Sequence, residues 1–254
     1  MDRFGSAKPL VFINAAMSVD GKISSTERAQ LLLSDKDDLE RLDRLRAEVD
    51  AIVIGGRTLL NDNPRLTIRS GELRQERMAR GLPGNPIKVV VTGSGNVPLD
   101  SLFLRDGDAV KFVFTTKRAK EGKIAPLSKF AQVFRVGKDR VDFRKMIEIL
   151  ARHGVRRIMV EGGAMLNFEM IRARVVDEIH VTISPYIIGG ESAPTLVDGK
   201  GFTGSRIKNL DLISCQRSGE SILVKYRVQY PTRKKSLRRS VRGPGMIKDR
   251  RRRG

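Results

Sequence analysis

The sequence predicts an α/β protein with a mixed, mostly parallel sheet flanked by helices and antiparallel strands at its C-terminal end. Two observations predict it. Before Val176, short apolar runs alternate with helix-like segments. From there, three strand-like segments (176–184, 207–214 and 222–230) follow one another with no helix between them. With 254 residues, 40% of them hydrophobic, the chain can bury a substantial core.

The elements follow in order. Residues 9–16 form an apolar run broken by Asn14, the pattern of a buried strand, and Asp20-Gly21 makes a turn after it. Ser34 is the expected N-cap of a helix, with Asp35, Asp37 and Asp38 at its dipole-favoured end and a stripe of Leu39, Leu42, Leu45 and Val49. Residues 51–54 are a short strand ended by Gly55-Gly56. Residues 58–61 are a helical turn stopped by Asn63-Pro64. The polar stretch 70–86 reads as a loop, and 87–92 and 111–116 as strands. A helix over 142–152 has Gly154 as its C-terminal cap. Strand 155–160 then enters the helix 164–172 through Gly162-Gly163.

Charge divides the chain. The formal net charge is +20. Residues 233–254 hold eleven basic side chains against one acid, a net +10 in 22 residues. The sequence therefore predicts a folded domain over 1–230 and a basic, disordered tail over 231–254. A basic core suits anionic substrates. One cysteine, Cys215, excludes an intrachain disulfide and a cysteine zinc cluster, and two histidines supply a metal site poorly. His180 reads as a structural or surface imidazole, His153 as a helix-end group and Cys215 as a partly buried small residue. No segment reaches the ~20 apolar residues of a membrane span, and the first residues lack a signal-peptide pattern. A cytoplasmic, metal-free protein is expected.

Two glycine-rich segments carry chemistry. In Val160-Glu161-Gly162-Gly163-Ala164-Met165-Leu166, a strand runs through a glycine pair into a helix. Such a turn lets a phosphate reach backbone N–H groups; it equally serves as a tight connection. Glu161 ends the strand, placed either to accept amino groups of a base or to be a solvated, salt-bridged carboxylate. In the second segment, Gly55-Gly56 leads to Arg57, Arg65 and Arg69, each a phosphate fork or a surface arginine. Arg46 on the preceding helix has the same two readings.

The ordered set of motifs resembles one family. It runs from Asn14-Ala-Ala-Met-Ser-Val-Asp-Gly-Lys-Ile-Ser24 through Leu45-Arg46-Ala47 to Gly56-x-Thr58-x-x-x-Asp62-x-Pro64-Arg65-Leu66-Thr67. Val160-Glu-Gly-Gly163, Ser184-Pro185-x-x-x-Gly189-Gly190 and Ala193-Pro194 complete it. These are similar to the 2,5-diamino-6-ribosylamino-4(3H)-pyrimidinone 5′-phosphate reductases and to the reductase domain of bifunctional riboflavin enzymes, over residues 8–230.

That resemblance implies a dihydrofolate-reductase-like fold, a homodimer and NADPH-dependent reduction of the ribosylamino group to ribitylamino. It places Thr58, Asp62, Gly162, Gly163, Ala164, Met165 and Leu166 beside the cofactor. Arg46, Leu66, Arg69 and Glu161 are placed beside the substrate, the arginines toward its phosphate. Asp20 is the candidate general acid, with a structural turn aspartate as the alternative. Thr92-Gly93 departs from the Asp-Ser common in relatives and removes one side-chain contact to the cofactor. The deaminase signature H-x-E with P-C-x-x-C is missing, so the chain is expected to reduce and not deaminate. NADH is left open, and no residue identifies itself as the reader of a 2′-phosphate. Two rival readings stand beside this one. The first is a reductase of the deaminated pyrimidine or a pterin-like compound. The second is a nucleic-acid-binding protein acting through its tail.

Overall fold

The structure is a computed structural model that describes residues 8–27, 33 and 35–230. Nine strands form one sheet: β1 (Leu10–Ser18), β2 (Ala51–Gly55), β3 (Ile87–Val91), β4 (Lys111–Thr115), β5 (Gln132–Arg135), β6 (Arg157–Val160), β7 (Glu178–Ser184), β8 (Leu210–Ser218) and β9 (Ser221–Val228). Their order is β5-β4-β3-β2-β6-β1-β7-β9-β8. All pairings from β5 to β7 are parallel, and β9 runs antiparallel to both its neighbours. The mixed, mostly parallel sheet expected from the sequence is present, with its antiparallel pairings at the C-terminal end.

The helices are α1 (Lys36–Glu48), α2 (Gly56–Asp62), α3 (Gly71–Ala79), α4 (Leu102–Arg105), α5 (Glu121–Ile124), α6 (Phe143–Arg152) and α7 (Ala164–Arg172). Strand alternation sends successive residues to opposite faces. Val11, Ile13, Val53 and Val160 join one core with Met146, Leu150 and Met170 of α6 and α7. Phe12, Ile52, Ile54 and Met159 join the other with Leu45 of α1 and Leu59 of α2.

Several elements differ from the sequence reading. The cap of α1 is Asp35, whose side chain accepts from the Asp38 N–H; Ser34 lies outside the described residues. The stretch read as a loop contains α3, capped by Ser70. It was hidden because it docks through charge and not through an apolar stripe. Arg77 of α3 is fully buried and donates to the Ala47 and Val49 carbonyls at the end of α1 and to the Pro83 carbonyl. Asp43 of α1 accepts from the Arg69 and Ser70 N–H groups at 2.8 and 2.7 Å. The edge strand β5 was also missed, since its four residues leave only two half-buried positions.

Cys215 is exposed rather than partly buried. His180 is buried, stacked on Phe12 with ring centres 4.5 Å apart, and in contact with Glu178 at 3.0 Å. His153 ends α6 and packs edge-on against Phe112. Among the described residues, no helix is long and apolar enough to cross a membrane. The tail over 231–254 lies outside them.

Candidate active site

A cleft of about 710 Å³ opens over the C-terminal ends of the central strands β2, β6 and β1, where parallel α/β sheets receive ligands. One wall is backbone. Gly55 donates its N–H to the Gly162 carbonyl at 2.8 Å, joining the two glycine turns. A Cβ on Gly56 would lie 2.9 Å from Thr92 Cβ, and one on Gly163 would lie 3.0 Å from Thr58 Oγ1. A side chain at Gly56 would therefore force Thr92 to move, and one at Gly163 would crowd Thr58. Gly162 has φ +92, a region that side chains avoid. The cap of α7 is Gly163, which brings no side chain, so the N–H groups at this nine-residue helix's start remain for a ligand.

The neighbouring wall is built from charged groups with partners behind them. Glu161 takes two hydrogen bonds from Arg46, Nε to Oε1 and Nη2 to Oε2, both 2.8 Å. The remaining Arg46 nitrogen donates to the Thr67 carbonyl at 3.0 Å. Both side chains are largely buried, at 12% and 14% exposure. Burial alone would lower the Arg46 guanidinium; the charge and hydrogen bonds of Glu161 outweigh it and hold it above its ordinary value. Each Glu161 oxygen keeps a lone pair for a ligand donor.

Asn14 of β1 lines the same wall. Both terminal nitrogens of Arg41 lie 3.2 Å from Asn14 Oδ1. Arginine only donates, so the atom facing it is the carbonyl oxygen, and the Asn14 amide nitrogen is left as a donor for the cleft. Arg41 is held in turn by Asp38 at 2.8 Å and Thr182 at 3.0 Å.

The sequence-predicted residues divide accordingly. Thr58, Asp62, Glu161, Gly163, Ala164, Met165 and Leu166 line the cleft together. Gly162 stands behind the lining as the acceptor for Gly55. Arg46 stands behind Glu161, and it does not face a phosphate as an open fork. Leu66 is buried at 1% exposure in the core beneath α2, so only its backbone can meet a ligand. Arg69 is exposed and lines a second hollow with Arg65 and Arg74.

Asp62 is half-buried and takes no hydrogen bond from the protein among the described residues; burial raises its carboxyl. The Asp20 carboxylate accepts from Ser18 Oγ at 2.6 Å and from the Ile188 and Gly189 N–H groups at 3.1 and 2.7 Å. These bonds, led by that from Ser18, lower it to about 2. It clamps a turn outside the cleft lining.

The sequence reading gives Asn14 and Arg41 no site role and Asp38 only a helix-end one. Asn14 left one signal, a polar residue interrupting an apolar strand. Arg41 left none, since its partners come from three separate segments.

A glycine-walled cleft at the C-terminal edge of a parallel sheet, beside buried polar side chains, defines a protein that binds a phosphate-bearing small molecule. The chain belongs to the RibD C-terminal domain family, whose profile matches residues 9–224. It is 43% identical over 217 residues to the 2,5-diamino-6-ribosylamino-4(3H)-pyrimidinone 5′-phosphate reductase of Archaeoglobus fulgidus, covering 85% of this chain and 97% of that one. It is 38% identical to the protein of the same name from Methanothermobacter thermautotrophicus, covering 87% and 99%. It matches about half the length of longer relatives such as the riboflavin biosynthesis protein RibD of Bacillus amyloliquefaciens, at 31% identity. The fold is shared with a pyrimidine reductase-like protein of Corynebacterium diphtheriae, with a TM-score of 0.74 at 22% identity, covering 88% and 93%.

Proposed function

We propose that the chain reduces 2,5-diamino-6-ribosylamino-4(3H)-pyrimidinone 5′-phosphate to its ribitylamino product, using NADPH. The observation that carries this reading is the joining of two unlike walls in one cleft. A backbone cradle fits a dinucleotide phosphate, and a paired carboxylate with a fixed amide donor fits a pyrimidine. A dihydronicotinamide, when bound, would supply the hydride for C1′ of the opened imine, and a proton taken up from water on the imine nitrogen completes the amine.

The chain's own residues bind and orient. The N–H groups at the start of α7 receive phosphate oxygens. Glu161 accepts amino hydrogens of the base with the lone pairs that Arg46 leaves free. The Asn14 amide donates to a ring carbonyl. Arg69, exposed and with no acid bridging it among the described residues, reaches the ribose phosphate from the second hollow. Holding two reactive carbons in line is the main contribution such a site makes.

The same reading includes a homodimer. The edge strand β8 exposes Leu210, Leu212 and Ile213, an apolar unpaired edge that a second copy can cover. Sedimentation of Leu212→Lys against wild type tests this: equal mass for both would leave the edge without that role.

The deciding experiment is anaerobic incubation with NADPH and either the diaminopyrimidine or its deaminated form, following loss of the nicotinamide absorbance. Turnover of the diaminopyrimidine is expected. Turnover of the deaminated compound alone would overturn the substrate assignment.

A further inference from the structure

Of the charged groups lining the cleft, Asp62 and Arg57 have no ion-pair partner among the described residues. Glu161 is paired with Arg46 and Asp38 with Arg41. Glu169 is paired with Arg140 and Arg172, and Asp139 with Arg118. Asp198 is held by Thr195. Arg57 lines the same cleft, is exposed, and has no acidic partner among the described residues. Its turn is fixed, because the next residue, Thr58, stands against the Gly163 backbone. Arg57 thus extends from the turn that meets the Gly162-Gly163 segment.

We propose that Arg57 reads a phosphate monoester at the cofactor end of the cleft, the 2′-phosphate that distinguishes NADPH from NADH. The inference rests on the reductase reading above. A cleft with this many carboxylates in its lining repels a polyanion unless they are neutralised. The backbone N–H groups of α7 suit a diester, which carries one charge per phosphorus. A terminal monoester carries nearly two and presents several equivalent oxygens, which a guanidinium meets with two parallel donors. Arg57 is the group of that kind in the lining that is not already engaged with an acid. Gly93, also in the lining, brings no side chain to compete for the same phosphate.

The test compares wild type with Arg57→Ala in two measurements. In steady-state kinetics with NADPH and NADH, the variant's kcat/KM for NADPH should fall about tenfold to a hundredfold, through KM, with NADH little changed. In calorimetry without substrate, affinity for adenosine 2′,5′-bisphosphate should fall by the same factor, with 5′-AMP unchanged. Equal losses for both cofactors, no loss for either, or a loss that follows the phosphate of the pyrimidine substrate would each overturn the assignment. If wild type turned over neither cofactor, the reductase reading would fail, and the calorimetry would still decide what Arg57 holds.

Discussion

The wall made by Gly55, Gly56, Gly163 and the start of α7 exposes main chain and few side chains, whereas the wall made by Asn14, Asp38 and Glu161 is backed by guanidinium groups. The backbone wall is cheap to preorganise: its donors are fixed by the sheet and the helix, and only a side chain can spoil it. The polar wall is the opposite. Asn14 and Glu161 are each oriented by an arginine from a distant segment and Asp38 by one on its own helix, so chemistry and stability are coupled there. Losing a partner there leaves a buried charge, and that cost exceeds what the pair contributes.

The largest effect should therefore come from Arg46. Arg46→Met strands Glu161 at 14% exposure, which should cost on the order of 3 kcal/mol of unfolding free energy. Denaturant melts measure it. Arg46→Met with Glu161→Gln should recover much of the stability and none of the activity. Recovery of both would mean that Glu161 only supports the fold. Next is Arg69→Ala. It should lower kcat/KM about a hundredfold for the phosphorylated substrate and little for a dephosphorylated analogue, the loss of one forked phosphate contact. A penalty equal for both would remove Arg69 as the phosphate anchor and leave the polar wall without one. On the backbone wall, Gly163→Ala places a methyl 3.0 Å from Thr58 Oγ1, a contact that Thr58 can relieve by a small shift. A rise of about tenfold in KM for NADPH is expected, with folding stability changed by about 1 kcal/mol. A larger effect on substrate KM than on cofactor KM would reverse the assignment of the two walls.

The same contrast explains what could be read in the sequence. The backbone wall was legible because glycine pairs after short apolar runs mark both its turns, and α7 was placed to the residue. The central strands were legible because their burial leaves nearly continuous apolar runs. The polar wall was legible only through resemblance. Arg46 shows why: its position on a helix says nothing about a carboxylate 115 positions away. Nor does Asp43, in a helix expected to bury leucines, announce that it caps the chain before α3. Asp20 carries two readings in the sequence for a related reason, since a turn aspartate and an acid catalyst have the same local sequence. Its partners at 188 and 189 settle that it is a clamp.

The smallest effect should come from ending the chain after Tyr230. Among the described residues, the last in the cleft lining is Asp198, and the last strand closes at Val228. The removed 24 residues carry a net +10, half the charge of the whole chain. At low ionic strength such a segment can raise encounter rates with anionic substrate, an effect that falls steeply as salt is added. The shortened protein should therefore match full-length kcat within about twofold at any ionic strength, and kcat/KM within about twofold once the Debye length is ~8 Å. Its affinity for RNA of arbitrary sequence should drop sharply over the same range. Steady-state kinetics at two salt concentrations and a filter-binding titration measure both. A fall in kcat that added salt does not abolish would show that the C-terminal segment takes part in the site, and the division into two walls would then be incomplete.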